Sequence, residues 1–124
     1  MELFERNACD LSEMIKNKEI SSAELTKSVF DRIKAVEGKV DAYLTLDEEN
    51  AMKKAAEIDE KLAKGEELSP LAGIPVGIKD NISTKGLRTT CASKMLGNYV
   101  PPFNATVMNK LDDIVVTGKL NMDE

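Results

Sequence analysis

The segment Leu71–Ile82 reads LAGIPVGIKDNI and combines the features of a buried strand with a single lysine. Pro75 suits the first position of a strand, where its missing backbone N–H costs no ladder hydrogen bond. Successive side chains of a strand point to opposite faces. We therefore predict a strand from Pro75 to about Ile82. Its two faces would be Val76, Ile78, Asp80 and Ile82 on one side, and Gly77, Lys79 and Asn81 on the other.

Lys79 is the unusual residue of this segment because its neighbours are mostly apolar. Gly77 beside it would let another segment approach the backbone closely. If this face is buried, the ammonium loses hydration, the neutral amine is favoured, and Lys79 could act as a general base. The alternative is an exposed lysine on an edge strand, which guards against aggregation. On spacing alone, the exposed lysine is the commoner case.

Four segments, taken in order, resemble the amidase signature family, and within it the branch of amidase subunits of tRNA-dependent amidotransferases. These segments are Gly73–Asn81, Thr84–Gly86, Thr89–Ser93 and Gly118–Glu124. The resemblance covers nearly the whole chain, but only the N-terminal portion of the family's much longer chain. It implies an incomplete amidase signature fold, in which helices cover a large mixed sheet.

The resemblance also implies a catalytic triad of Ser, cis-Ser and Lys, with Lys79 as its catalytic lysine. Its implied role is to deprotonate the bridging cis-serine, which then activates the nucleophilic serine. The chain contains no histidine, which excludes a Ser-His-Asp triad. In the family, both serines follow the segment that matches Asn121–Glu124. We therefore expect the 124-residue chain alone to be inactive. The link Leu111–Ile114 is shorter than in the family, and we expect some distortion there.

Partners and cofactors follow from the same resemblance. In that branch the subunit hydrolyses glutamine, and the ammonia converts Glu-tRNA(Gln) to Gln-tRNA(Gln) in a complex with B and C subunits. ATP and Mg²⁺ are used mainly by the partner subunit, so no cofactor is expected in this chain. A stand-alone amidase fragment and a non-catalytic module that binds the same partners are the two alternatives.

The composition fits these expectations. The net charge is −5, from 22 acidic and 17 basic residues without a basic cluster, so a tRNA-binding surface is not indicated. Cys9 and Cys91 lack the C-x-x-C spacing of a zinc site and are predicted to be reduced thiols. We find no signal peptide or transmembrane pattern and expect a cytoplasmic protein. With 4% aromatic residues and no Trp, the core should be aliphatic.

The pattern along the chain predicts an α/β protein, with a helical N-terminal lobe over residues 1–68 and the start of a catalytic α/β core over residues 69–124. In the N-terminal lobe, the pattern predicts a helix over 10–16, a helix that begins with a Ser21–Glu24 capping box and ends near Gly38, a strand over 40–46, and a helix capped by Asp47 and stopped by Gly65. After the lysine-bearing strand, it predicts a short helix over 105–111 capped by Asn104 and a strand over 114–117. Only the first strands of the large sheet are present, so we expect marginal stability or self-association of the isolated chain.

Overall fold

The computed structural model describes residues 1–124 and has the predicted mixed α/β composition. The four α-helices are α1 (Ala8–Lys16), α2 (Ser22–Val40), α3 (Glu48–Ala63) and α4 (Thr106–Lys110), and the three strands are β1 (Tyr43–Leu46), β2 (Pro75–Lys79) and β3 (Val115–Leu120). Two single-turn 3₁₀ helices lie at Leu3–Glu5 and Lys94–Leu96. No helix is long and apolar enough to cross a lipid bilayer.

The three strands form one mixed sheet in the order β1-β3-β2. Strand β3 pairs antiparallel with β1 and parallel with β2, so the last strand of the chain is the central one. Because β1 comes from the predicted helical lobe, the sheet joins residues from both sides of the predicted boundary after residue 68. That division into two parts stays a prediction.

Helix α2 begins as predicted but ends later than predicted. The Ser21 hydroxyl accepts the Glu24 backbone N–H, and the Glu24 carboxylate accepts the Ser21 N–H, which completes the capping box. The predicted end near Gly38 is wrong, since the helix continues to Val40 and closes at Asp41 in the left-handed conformation, with φ of 54°. The Glu37 carboxylate stabilises this late turn because it accepts the next two backbone N–H groups, at 2.9 and 2.7 Å.

Two other predicted caps differ from the structure. Asp47 occupies the N-cap position of α3, but its carboxylate accepts the side-chain amide of Asn50 at 2.9 Å and caps no backbone group. The predicted Asn104 cap of α4 is wrong because Ala105 holds that position. The Asn104 side chain instead accepts the backbone N–H of Lys85 at 2.8 Å. Helix α3 ends at Ala63, just before Gly65 with φ of 80°, as predicted.

The core lies between the helices and the sheet and is almost entirely aliphatic, as predicted. Its three clusters are Phe30, Ile33, Ala51, Ala55 and Val115; Leu11, Ile15, Leu25 and Ile74; and Ile78, Met108 and Ile114. Phe30 is its one aromatic member. The small side chains of Ala51 and Ala55 let α3 pack closely on α2. Each large apolar side chain buried in this way stabilises the fold by about 1.5–3 kcal/mol.

A polar junction ties α2 to α3 and to the start of β2. The Asp59 carboxylate of α3 accepts the backbone N–H groups of Ser22 and Ala23, at 2.7 and 3.0 Å. These are among the N–H groups that a helix leaves unpaired at its start. The Ser22 hydroxyl donates to the Gly73 carbonyl at 2.7 Å. Gly73 has φ of 76°, and a Cβ there would lie 2.8 Å from the Ser22 hydroxyl oxygen, so this position requires glycine.

Candidate active site on both faces of strand β2

Lys79 is the last residue of β2, and its side chain is exposed. The predicted strand end near Ile82 is wrong because the chain turns directly after Lys79. In that turn the Ile82 N–H donates to the Lys79 carbonyl at 3.0 Å. The buried surroundings that would favour a neutral amine are absent, and the Lys79 face is open to solvent. The Lys79 amine makes no hydrogen bond or ion pair and is free to meet another group.

Gly77 allows the close approach that the sequence predicts. Lys79 lies opposite Leu120 in the pairing of β2 with β3. The Leu120 side chain leans over Gly77, where an added Cβ would lie 2.8 Å from a Leu120 methyl carbon. The Leu120 side chain therefore fills the space over Gly77, beside the exposed Lys79.

Asp80 lies on the opposite, buried face and is 1% exposed. Its Oδ2 accepts three donors, the Thr90 backbone N–H at 3.0 Å, the Thr90 hydroxyl, and the Ala92 N–H at 3.4 Å. Its backbone carbonyl accepts the Cys91 N–H at 3.0 Å. Cys91 and Ala92 both have left-handed backbones, with φ of 53° and 57°, which curve the loop around the carboxylate. This conformation costs about 1–2 kcal/mol per residue, which the hydrogen bonds to Asp80 help to offset.

Lys119 is the second lysine of the site, and the prediction from sequence did not include it. Its side chain is completely buried on the same face as Asp80. The Lys119 ammonium donates to the Ile82 carbonyl at 2.6 Å, to the Thr84 hydroxyl at 3.0 Å and to the Thr89 hydroxyl at 2.9 Å. The Asp80 Oδ1 lies 4.0 Å away. Burial lowers the pKa of Lys119, and the nearby charges of Asp80 and Cys91 oppose this shift.

Strand β3 contains a β-bulge before Lys119. The register shifts between the pairs Val76–Val116 and Gly77–Gly118, so Val115 and Lys119 lie on opposite faces of the sheet although both are buried. Simple alternation along the strand therefore gave no signal for Lys119. The same strand carries Gly118, where an added Cβ would lie 2.2 Å from the Thr45 carbonyl oxygen. Strand β1 therefore approaches β3 closely, directly beside Lys119.

The two lysines thus have different chemical possibilities. Every donor of the Lys119 ammonium is used inside the protein, whereas the Lys79 amine is exposed and unengaged. Cys91 is a free, half-buried thiol beside the Asp80 carbonyl. Of the three groups, only the Lys79 side chain is both exposed and without a partner in this chain.

Comparison with known proteins shows the family of this chain. A model of the amidase family matches residues 24–124, which is most of the chain. This chain belongs to the amidase family.

Within the amidase family, the chain is 56% identical along its whole length to the A subunit of the glutamyl-tRNA(Gln) amidotransferase from Carboxydothermus hydrogenoformans. It is 54% identical to the corresponding subunit from Geobacillus kaustophilus. The chain spans 26% of the length of each of these relatives. Each alignment covers 126 positions against the 124 residues here, so two positions have no counterpart in this chain. The assignment of this shortening to Leu111–Ile114 stays a prediction.

Solved structures of the amidase family show the same fold. The native peptide amidase from Stenotrophomonas maltophilia superposes with a TM-score of 0.91 at 33% identity, over 97% of this chain and 25% of that one. A fatty acid amide hydrolase superposes with a TM-score of 0.90 at 21% identity, which is a likeness of fold alone. The predicted fold class, an incomplete amidase signature fold, is therefore confirmed.

Proposed function

We propose that this chain is the N-terminal part of the glutaminase subunit of a tRNA-dependent amidotransferase. The observation that carries the proposal is the 56% identity, over the whole of this chain, to the A subunit of a glutamyl-tRNA(Gln) amidotransferase. That alignment covers the whole chain, including the lysine-bearing strand β2 and the buried cluster behind it. The complete protein would hydrolyse glutamine and supply ammonia for the conversion of Glu-tRNA(Gln) to Gln-tRNA(Gln).

In this proposal Lys79 is the base of a Ser-cisSer-Lys triad. Its amine takes the proton of the cis-serine, which takes the proton of the nucleophilic serine as that oxygen attacks the amide carbon of glutamine. Ammonia leaves with a returned proton, and water then hydrolyses the acyl-serine. The exposed Lys79 side chain has no hydrogen-bond or ion-pair partner within this chain, which supports this role because both serines would come from outside this chain. We expect the 124-residue chain by itself to be inactive for the same reason.

The proposal includes partners that this chain does not contain. The B and C subunits would bind the complete protein, and the partner subunit would use ATP and Mg²⁺ and hold most of the tRNA. The net charge of −5 supports this division, because tRNA phosphates require concentrated positive charge. A cytoplasmic location follows from the same proposal.

The test is a Lys79→Ala variant of the full-length protein, assayed for ammonia release from glutamine in the presence of the B and C subunits. We expect kcat to fall by about 10²–10⁴-fold, the usual contribution of a positioned base. Lys85→Ala is the matched control, since Lys85 is an exposed lysine in the loop just after the β2 turn. Full activity of Lys79→Ala would exclude the assigned role.

The alternative of a stand-alone amidase is supported by the structural likeness to the peptide amidase. It predicts that the full-length protein hydrolyses small amides without any partner. The amidotransferase proposal predicts a stable complex with the B and C subunits. Size-exclusion chromatography of the mixture, followed by amide hydrolysis with and without partners, separates the two, and a complex without hydrolysis would favour the non-catalytic binding module.

A further inference from the structure

The hydrogen bonds around Lys119 define its charge. The Thr84 hydroxyl donates its own proton to the Ile82 carbonyl at 3.0 Å, and the Thr89 hydroxyl donates to the Leu87 carbonyl at 3.0 Å. Both threonine oxygens therefore offer only lone pairs to Lys119, and the Ile82 carbonyl can only accept. Three acceptors surround the Lys119 nitrogen, which matches the three donors of an ammonium group and not the two donors of a neutral amine.

Asp80 balances this charge within the same buried cluster. All three contacts of its Oδ2 are donors, which suits the acceptor oxygen of a carboxylate. Its Oδ1 is buried without a hydrogen bond and faces the Lys119 ammonium at 4.0 Å. The pair therefore interacts through charge alone. Asp80 in turn holds the loop of Thr90 and Ala92 against the end of β2.

A short chain of hydrogen bonds links Lys119 to Lys79. The Lys119 ammonium holds the Ile82 carbonyl, and the Ile82 N–H holds the Lys79 carbonyl. This second contact closes the turn that begins directly after Lys79. Asp80, the residue next to Lys79, is held in the same cluster. The backbone on which the Lys79 side chain stands is therefore fixed from the buried face of the sheet.

We propose that Lys119 is a positioning residue for amide hydrolysis, an internal cation that fixes the Lys79 turn and the Thr89–Ala92 loop from the face opposite the reaction. This inference rests on the proposed function of Lys79. A buried ion pair adds little net stability compared with apolar residues of the same volume, so stability alone does not account for a charged pair here. A fixed turn does account for it, because displacement of a catalytic group by 1 Å can reduce the rate by about 10²-fold.

The test uses Thr89→Val and Thr84→Val in the full-length protein with its B and C subunits. Each change keeps the shape of the side chain and removes one of the three hydrogen bonds to the ammonium. Thr106→Val is the matched control, since Thr106 is exposed and does not touch Lys119. We measure kcat and KM for glutamine hydrolysis, and Tm, at a temperature where circular dichroism shows every variant folded.

We expect each buried variant to lower kcat by about 10-fold or more while KM stays within about two-fold of the parent, because the base is displaced and glutamine binding is not. A purely structural role would lower Tm and leave the kcat of the folded enzyme unchanged. A kcat within about three-fold of the Thr106→Val control, for both variants and whatever the Tm, overturns the inference.

A spectroscopic measurement keeps the test independent of the rate. In the ¹⁵N-lysine spectrum of the full-length protein at neutral pH, the Lys119 nitrogen should appear as a slowly exchanging ammonium, and Thr89→Val should shift this signal. A neutral-amine signal overturns the inference. Lys79→Ala separates the two proposals. If Lys79→Ala is inactive and both threonine variants are fully active, only the proposed role of Lys119 is overturned. If Lys79→Ala is active, the proposed role of Lys79 is overturned, and the role of Lys119 that rests on it is overturned as well.

Discussion

Lys119→Met gives the strongest expected effect on stability. The substitution keeps the length of the side chain but removes three hydrogen bonds and the charge 4.0 Å from the buried Asp80 carboxylate. Loss of one partner from a buried ion pair costs about 3–5 kcal/mol. With a denaturant dependence of about 2 kcal/mol per molar urea, this cost lowers the unfolding midpoint by about 2 M.

The assay is urea unfolding of the 124-residue chain, followed by circular dichroism, in a buffer with enough stabilising osmolyte to keep the parent chain folded and monomeric. Lys53→Met is the matched control, because Lys53 is exposed and forms no ion pair, and it should change the free energy of unfolding by less than about 0.5 kcal/mol. Addition of Asp80→Asn to Lys119→Met should recover part of the loss, since the second change removes the unpaired charge. A midpoint shift of less than about 0.5 M for Lys119→Met would refute the reasoning.

Three further changes test other parts of the fold. Asp59→Ala removes two hydrogen bonds at the start of α2 and should lower the free energy of unfolding, measured in urea, by about 2 kcal/mol. Asp59→Asn should lower it by about half as much, and equal effects of the two changes would contradict a role for the charge. Gly118→Ala places a Cβ 2.2 Å from the Thr45 carbonyl oxygen and should lower the free energy of unfolding by about 3 kcal/mol. Gly38→Ala, in the last turn of α2 with no atom within 4 Å of the added Cβ, should raise it by up to about 0.5 kcal/mol. A reversed order would count against the packing of β1 on β3. Burial lowers the pKa of Lys119 in the folded protein, whereas in the unfolded chain the pKa stays near about 10.4. At a pH between these two values, the unfolded chain binds more protons at Lys119 than the folded one does. The contribution of Lys119 therefore makes the free energy of unfolding rise with pH in that range. A ¹³Cε titration should therefore give Lys119 a lower midpoint than the exposed lysines, and an equal or higher midpoint would contradict the burial.

Local patterns in the sequence predicted most elements correctly. The capping box at Ser21, the strand start at Pro75 and the helix stop before Gly65 all depend on residues within one turn of the position concerned. One of the errors comes from a group distant in sequence and another from a neighbouring carboxylate. Asn104 is not a cap because the backbone of Lys85, remote in sequence, takes its side-chain oxygen. Gly38 did not end α2 because the Glu37 carboxylate supports a later turn.

The two lysines of the candidate site show the same distinction. Lys79 was identified through the resemblance of the segment around it to a family motif, although the burial that its apolar neighbours suggested is absent. Lys119 was missed because its burial depends on the placement of β3 between β1 and β2, and on loop threonines 30 and 35 residues away in sequence. The β-bulge in β3 breaks the alternation of faces before Lys119, so only the tertiary structure shows that this lysine is buried and supplies its partners.

The central position of β3 has a consequence for synthesis on the ribosome. Neither β1 nor β2 has a strand partner until Val115–Leu120 has emerged, because the two earlier strands do not pair with each other. The contacts between α2 and α3 are local and can form in the nascent chain first, whereas the sheet depends on pairings across about 75 and 40 residues of sequence. Protease protection of ribosome-bound chains should therefore appear early for the helices and late for β2. During elongation β2 stays unpaired, and Lys79 acquires a fixed position only when β3 has emerged and paired with it.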